Sequence, residues 1–216
     1  MQQRHRYDTK LARILCEAST IFAEKGYDGA SVRDISAATG VSLSGLYYYV
    51  RSKEDLLFMI QKHCFDTLLE QLVKDLEGVD EPVDRLEVIV RNHLRFFVDN
   101  MSEMKVLSHE AEVLTGEYRT QIALRKREYV AAVQACVDQL ALDQDPTDRR
   151  VATFALFGMM NWIYTWYRPG KDIPVDRLSA TVLQIFLGGV GTPHPVESFA
   201  RGVIPEGGKT SRWMEP

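Results

Sequence analysis

Three consecutive tyrosines, Tyr47, Tyr48 and Tyr49, stand just before Arg51 and Lys53 in the stretch GVSLSGLYYYVRSKEDLL. Successive residues on a helix point about 100° apart, so at least one of the three phenols must face water. Phenolic hydroxyls and nearby cations are groups that contact the phosphates of a nucleic acid. The pattern therefore indicates an anion-binding surface, with nucleic acid as the candidate partner.

The elements around the tyrosines have the spacing of a helix-turn-helix. Ser31 is a candidate N-cap, with Asp34 in the capping-box position, and a short helix follows over 32–38. Gly40 suits the turn, where a left-handed backbone is expected. Ser42 can cap a second helix that runs to about Tyr49.

In such a unit the second helix lies in the major groove of DNA. Small residues bring its backbone close to base edges, and these are Ser42, Ser44 and Gly45. Hydroxyls and a cation at its far end reach the phosphates, and these are Tyr47, Tyr48 and Lys53. The alternative for Tyr47 or Tyr49 is packing against the first helix of the motif.

The charge distribution agrees with a nucleic-acid surface at this end of the chain. The 216 residues carry a formal net charge of −4, so the whole protein is not a polycation. Residues 1–53 nevertheless contain 8 Lys and Arg against 5 Asp and Glu. The three cysteines form no CxxC pair, which indicates neither a zinc site nor a disulfide framework and favours a reducing, cytoplasmic location. The polar N-terminus is not a signal peptide.

Helical periodicity and helix stop signals continue along the chain, and no segment alternates like a strand, so we predict an all-α fold. Helices are expected over 9–25, 32–38, 42–49, 53–77, 82–100, 102–114, 117–142, 146–167 and 176–187, the last closed by Gly188 and Gly189. We predict a DNA-binding domain over 1–54 and a larger helical domain over 55–191. Residues 192–216 are rich in Pro and Gly and are predicted to form a poorly ordered tail, with Trp213 as a candidate anchor.

The segment 151–167 is apolar on almost every side. Its length only just reaches the membrane-spanning range, and Asn161 and two threonines interrupt it. A helix that is apolar all round is more typical of burial, with one face on its own core and the other on a second subunit. We therefore predict a homodimer and no membrane partner.

The stretch ILCEASTIFAEKGYDGASVRDISAATGVSLSGLYYYVRSKEDLL resembles the N-terminal domain of the tetracycline-repressor (TetR) family. The likeness covers residues 9–57 and is carried by Phe22, Gly26, Ile35, Gly40, Val41, Leu46, Tyr47, Lys53 and Leu56. It implies that Arg33, Ser44 and Gly45 face bases, and that Tyr47 and Lys53 hold phosphates. Two positions depart from the pattern: Tyr49, where many members carry histidine, and Val50, where phenylalanine is commoner.

The resemblance also implies that the larger domain binds a small molecule and dimerises through its last two helices, which here are 151–167 and 176–187. The residues assigned to the dimer contact are Ala155, Gly158, Trp166, Ala180 and Leu183. The small members of this set would allow close approach of helices. Packing within a single chain is the alternative for all of them.

The region from Leu156 to Val190 is similar to that of TetR-type repressors that respond to acyl-coenzyme A thioesters of fatty-acid, sterol or aromatic-acid breakdown. Such a ligand needs an apolar tunnel and cations for its phosphates. The candidate ligand-binding residues are Arg91, Arg95, Phe96, Met104, Leu107, Arg119, Arg125, Phe157 and Trp162, with Lys126 and His93 also on helices that could line a pocket. The alternatives are a solvated charged face for the cations and plain core for the apolar residues.

We therefore predict a dimeric DNA-binding repressor that an acyl-coenzyme A thioester releases from its operator. A drug-sensing regulator of an efflux pump is the first alternative, and a small-molecule-binding or catalytic helical protein without DNA function is the second. No catalytic constellation is recognisable, so an enzyme is not predicted. No metal-ligand motif is present around His93 or His109, and no metal or cofactor is predicted.

Overall fold

The computed structural model describes residues 2–110, 112–140 and 145–190, and every regular element within these ranges is helical, which confirms the all-α prediction. The helices are α1 (Gln2–Gly29), α2 (Val32–Thr39), α3 (Leu43–Tyr49), α4 (Lys53–Asp75), α5 (Pro82–Asp99), α6 (Met101–His109), α7 (Gly116–Leu140), α8 (Pro146–Asn161) and α9 (Val175–Val190). A 3-10 turn, Trp162–Thr165, follows α8. The predicted tail, 192–216 with Trp213, lies outside the described residues.

Helices α1 to α3 form the N-terminal unit. The helical path of α1 breaks at Gly26, where φ is 72°, so the predicted stop is confirmed. The Ser31 hydroxyl accepts the Asp34 backbone N–H, and Asp34 in turn accepts the Ser31 N–H, which confirms the capping box at the start of α2. Lys25 lies 2.7 Å from Asp34, and these hydrogen bonds hold the pKa of the Asp34 carboxyl below its usual range.

Helix α4 connects the N-terminal unit to the larger bundle. Ser52 caps it, and Glu54 and Asp55 occupy its first turn, where the helix dipole favours acids. Its apolar face continues into the bundle core, in which α5 packs against α4, α7, α8 and α9. Buried residues from five helices meet there, among them Ile60, Leu94, Val133, Leu156 and Val182.

Several predicted helix bounds are wrong, and α1 begins at Gln2 instead of residue 9. Helix α6 stops at His109 instead of 114, and α9 runs through Gly188 to Val190 because neither of its final glycines adopts a positive φ. The α-helix over 146–167 ends at Asn161 and tightens into the 3-10 turn. This tightening accompanies the burial of Ile163 and Tyr167 before the chain turns at Gly170.

Within the described ranges no helix combines the length and apolarity needed to cross a membrane. The apolar segment of α8 is buried on one side only. Thr153, Leu156 and Met160 are enclosed, whereas Val151 and Phe154 are exposed.

Candidate DNA-binding surface and effector cavity

The turn between α2 and α3 is held by side chains of its own helices. The Ser36 hydroxyl donates to the Val41 carbonyl at 2.6 Å, and the Thr39 hydroxyl donates to the Ile35 carbonyl at 2.7 Å. Gly40 ends α2 in the left-handed region, with φ at 66°. These contacts fix the direction in which α3 leaves the turn, as a helix-turn-helix requires.

Two of the residues predicted to lie near bases also have local structural roles. The Ser42 hydroxyl caps α3 by accepting the Gly45 N–H at 3.2 Å. A Cβ at Gly45 would lie 2.9 Å from Val41 Cγ1, so a side chain at this position would force Val41 to shift. Ser44, beside Ser42, is exposed and available to a partner.

The three tyrosines differ in exposure. The side chains of Tyr47 and Tyr48 are 55% and 74% exposed, whereas Tyr49 is half-buried against the core of the N-terminal unit. The Tyr48 and Tyr49 rings meet edge to face at 5.2 Å. The packing alternative therefore describes Tyr49, and Tyr47 and Tyr48 present their phenols to the solvent.

The cations of this surface fall into two classes. Arg33 is exposed on α2 and has no ion-pair partner among the described residues. Lys53 is half-buried, and its ammonium donates to the carbonyls of Tyr27 at 2.8 Å and Ala30 at 3.1 Å while lying over the Tyr27 ring. Lys53 thus fastens α4 to the turn between α1 and α2, a role that the sequence did not indicate.

A cavity of about 470 Å³ lies inside the larger bundle, within the usual range for small-molecule sites. Helices α4 to α8 and the segment before α7 enclose it. Most of its wall is apolar or aromatic, and the principal contributors are Phe65, Leu68, Phe97, Ile122, Val130 and Phe157. Arg119, Lys126 and Glu112 line it with exposed side chains and form a charged rim.

The structure brings only some of the predicted ligand-binding residues to this cavity. Leu107, Arg119 and Phe157 line it. Met104 is fully buried in the core, and Phe96 packs on that core without lining the cavity. The side chain of Trp162 is 62% exposed and also lies outside the lining.

The other three predicted arginines are placed elsewhere by acidic partners. Arg91 pairs with Glu87 on its own helix, and Arg95 donates to Asp176 at 2.7 Å and 2.9 Å. Arg125 pairs with Asp66 and Glu128 on the protein surface. In contrast, neither Arg119 nor Lys126 has an ion pair within the described part of the chain.

Three polar side chains interrupt the aromatic wall. His93 Nδ1 lies 2.9 Å from the Tyr129 hydroxyl, and His93 Nε2 lies 3.1 Å from Asn161 Oδ1. Burial lowers the pKa of the His93 imidazole to about 4 and raises that of the Tyr129 phenol. Tyr129 was not predicted, although it continues the α7 stripe through Ile122 and Lys126 at helical spacing.

Hydrogen bonds connect the cavity wall to the N-terminal unit. Glu54 accepts the backbone N–H of Thr115 at 2.9 Å and its hydroxyl at 2.8 Å. Asp55 accepts the Tyr118 hydroxyl at 2.8 Å and the Arg51 N–H at 2.8 Å. The first turn of α4 is therefore tied to the first turn of α7, directly before the cavity residue Arg119.

A second connection reaches the turn between α1 and α2. Gln61, which lines the cavity, donates to the Glu110 carbonyl at 3.2 Å. The Glu110 carboxylate accepts the Tyr27 N–H at 2.9 Å, and the Tyr27 carbonyl is one of the two that Lys53 binds. Both ends of the helix-turn-helix unit are thus connected to the cavity wall through an intermediate residue, Asp55 at one end and Glu110 at the other.

An apolar face remains uncovered on α8 and the following turn. Val151, Ala155, Gly158 and Trp162 recur at helical spacing and are all exposed. Trp166 is 50% exposed. A Cβ at Gly158 would contact nothing within 4 Å, so another helix could approach closely there.

Helix α9 extends this face through Ala180, which is exposed, and Ile185, which is 61% exposed. Leu183 is the exception among the predicted dimer residues. It is buried within its own chain, because it lies on the side of α9 that packs against α5.

No group of three or more potential metal ligands occurs among the residues that the structure describes. His109 instead contacts the Tyr164 ring edge to face.

Two family models match the chain. "Bacterial regulatory proteins, tetR family" matches residues 14–60, and "Tetracyclin repressor-like, C-terminal domain" matches residues 79–190. Among curated proteins, the HTH-type transcriptional repressor KstR2 of Rhodococcus jostii (strain RHA1) is 27% identical over 187 residues, covering 84% of this chain and 91% of the relative.

Solved structures give the same likeness over both units. A TetR-family transcriptional regulator from Bordetella parapertussis 12822 is 33% identical with a TM-score of 0.77, covering 84% of this chain and 93% of the other. AibR in complex with isovaleryl coenzyme A and operator DNA is 29% identical with a TM-score of 0.73, covering 82% of this chain and 97% of the other.

Proposed function

Because the chain belongs to the TetR family of bacterial transcriptional regulators, we propose that it is a homodimeric repressor that an acyl-coenzyme A thioester releases from operator DNA. The observation that carries the effector assignment is the cavity with Arg119 and Lys126 unpaired at its rim, within the described residues. Family members are regulators and not enzymes, in agreement with the sequence prediction.

The chemistry of the cavity matches the two halves of a thioester. Its aromatic wall suits an acyl group, and the exposed cations at its rim suit the phosphates of coenzyme A, to which Arg can donate two hydrogen bonds in fixed geometry. Unpaired cations attract a polyanion more strongly than cations that acids already neutralise. The related AibR structure holds isovaleryl coenzyme A, which supports the same ligand class here.

DNA is read by α3 and by Arg33 in this proposal. Ser44 and the backbone beside Gly45 face base edges, Arg33 donates to a base, and Tyr47 and Tyr48 contact phosphates. The exposure of these side chains supports the assignment. Tyr49 packs on its own unit, and its contribution to DNA binding is indirect.

The hydrogen bonds on α4 provide the route from ligand to DNA. A ligand that enters between α4 and α7 alters the contacts of Glu54 and Asp55 with Thr115 and Tyr118. Lys53, the first residue of α4, is hydrogen-bonded to the carbonyls of Tyr27 and Ala30. A displacement of the first turn of α4 therefore moves the helix-turn-helix unit. The ligand need only bind the displaced state better than the DNA-ready state.

The dimer forms through the apolar face of α8 and α9. Two reading helices must lie roughly 34–36 Å apart to enter successive major grooves, so the relative position of the two protomers decides operator affinity. Exposed Ala155, Gly158 and Ala180 permit close helix packing, and Trp162 and Trp166 supply buried area.

A sensor of lipophilic cations is the second candidate, and one observation favours it. Glu112 stands at the same rim as the two cations, and the wall behind it contains several phenylalanines. Aromatic faces and a carboxylate suit a drug-like cation.

A thermal-shift screen separates the two effector classes. Saturated acyl-coenzyme A species should raise the melting temperature of the wild type, whereas lipophilic cations should not. The double variant Arg119→Glu/Lys126→Glu should lose this stabilisation. Arg91→Glu is the matched control, because Arg91 lies off the cavity and pairs with Glu87, and it should respond like the wild type. Stabilisation by cations alone would support the drug sensor.

A further inference from the structure

A hydrogen-bonded chain of three side chains lies in the cavity wall and joins three helices. His93 on α5 is its centre, with the Tyr129 hydroxyl of α7 on Nδ1 and Asn161 Oδ1 at the end of α8 on Nε2. All three residues line the cavity. Phe97 stacks on the His93 ring at 4.3 Å and Phe157 meets it edge to face at 6.1 Å, so aromatic rings surround the central His93.

The hydrogen bonds that join Tyr129, His93 and Asn161 can run in either of two directions. His93 is neutral at pH 7 and has one N–H donor and one acceptor nitrogen. In one direction Tyr129 donates to Nδ1, and the Nε2–H donates to Asn161 Oδ1. In the other, the Asn161 amide has turned over and donates to Nε2, and the Nδ1–H donates to the Tyr129 oxygen.

In each direction the Tyr129 hydroxyl keeps hydrogen-bonding capacity that a ligand in the cavity can use. It keeps an acceptor lone pair in the first direction and its O–H donor in the second. No other hydrogen bond to this hydroxyl exists among the described residues. A hydroxyl that can accept or donate is complementary to a keto or hydroxyl oxygen, whereas a hydrocarbon group leaves it unused.

We propose that Tyr129, supported by His93 and Asn161, selects effectors whose apolar part carries a keto or hydroxyl oxygen. The regulator thereby responds to an oxygenated acyl thioester in preference to its hydrocarbon counterpart. This inference rests on the proposed thioester effector. Arg119 and Tyr129 are ten residues apart on α7, or about 15 Å along the helix axis, so the recognised oxygen lies on the acyl part and away from phosphates at Arg119.

Matched pairs of thioesters test this selection by isothermal titration. The probes are hexanoyl-coenzyme A with its hydroxy and oxo derivatives at each chain position, and cyclohexanecarbonyl-coenzyme A with its 4-hydroxy and 4-oxo derivatives. The wild type should bind at least one oxygenated probe about 10-fold more tightly than its hydrocarbon partner, as one net hydrogen bond allows. In Tyr129→Phe that preference should fall to within about 2-fold, with hydrocarbon binding little changed.

Phe157→Leu is the matched control, because it alters the same wall and leaves the hydrogen-bonded chain intact. It should weaken both members of a pair similarly and keep the preference. If Tyr129→Phe does not fold, Asn161→Ala removes the other end of the chain and should also reduce the preference.

Equal affinity for every pair in the wild type would overturn the inference, as would a preference that persists in Tyr129→Phe. If thioesters bind and release DNA without such a preference, the proposed repressor stands and only the oxygen selection is refuted. If no thioester binds, both are refuted.

Discussion

The residues of the candidate DNA-binding surface fall into two groups. Some support the fold, and others are exposed and can contact DNA. Ser42 caps α3, a side chain at Gly45 would crowd Val41, and Lys53 donates to two carbonyls. Arg33 and Tyr47 have exposed side chains and no such role in the described structure. This division predicts different effects for substitutions that sequence alone would treat alike.

Lys53→Met keeps the aliphatic stem and removes the ammonium. We expect a lower melting temperature, because Tyr27 and Ala30 lose their shared partner. Lys53 has a third N–H for a DNA phosphate, so the slope of log affinity against log salt should also fall by about 0.9. Fluorescence anisotropy at several salt concentrations measures this for operator and unrelated DNA.

Arg33→Ala is the comparison for the lysine variant. It should leave the melting temperature nearly unchanged and relax the preference at one base pair of each half-site, with a loss of roughly 1–3 kcal/mol on the operator. If Lys53→Met leaves the slope of log affinity against log salt unchanged, Lys53 makes only its structural contact and does not bind a DNA phosphate.

His93 predicts a pH dependence of stability. Its pKa is about 4 in the folded chain and higher in the unfolded chain, so acidification adds a proton to the unfolded state first. Its contribution is fully present above about pH 6.5 and is lost as the pH falls toward 4, by about 1.4 kcal/mol per unit. Chemical denaturation at pH 7 and pH 5 should show a larger loss for the wild type than for His93→Gln. Equal losses would contradict the assignment.

At the scale of the elements, the contact between α4 and α7 determines how ligand binding reaches DNA. Tyr118→Phe removes one hydrogen bond to Asp55 while preserving the ring that stacks on Phe58. We expect ligand affinity without DNA to stay within about 2-fold, and the factor by which ligand weakens operator binding to fall several-fold, since couplings of roughly 1–3 kcal/mol are typical.

Tyr164→Phe is the matched control for this variant, because the Tyr164 hydroxyl has no hydrogen-bond partner among the described residues. It should keep the wild-type coupling. If ligand weakens operator binding by the same factor in Tyr118→Phe as in the wild type, the Tyr118–Asp55 hydrogen bond does not transmit ligand binding to the DNA-binding unit.

The sequence predicted elements more reliably than cavity contacts, and the reason is physical. Caps at Ser31 and Ser42 are local signals, and the structure confirms both. Arg95 and Arg125 were misplaced because their partners, Asp176 and Asp66, are distant in sequence and become neighbours only after packing. Periodicity identifies the inner face of a helix and does not tell whether that face meets core or cavity.

At the scale of the whole molecule, the dimer determines whether the helix-turn-helix units of two protomers can bind one operator together. Trp162→Arg places a charge in the centre of the exposed α8 face. We expect this variant to sediment as a monomer at micromolar concentration and to lose most operator affinity, because a buried unpaired charge strongly destabilises an interface. Val73→Arg, also at an exposed apolar residue but on α4, should remain dimeric. A dimeric Trp162→Arg would place the interface elsewhere.

The central claim is that a thioester and operator DNA bind to competing states of one protein. Isothermal titration of isovaleryl- and hexanoyl-coenzyme A, with and without an operator selected from a random DNA library, tests it most directly. We expect operator DNA to weaken thioester binding about 5- to 150-fold, and thioester to weaken operator binding by the same factor, as linkage requires. Equal thioester affinity in the two titrations, or no binding of these thioesters or of their oxygenated derivatives, would contradict the account.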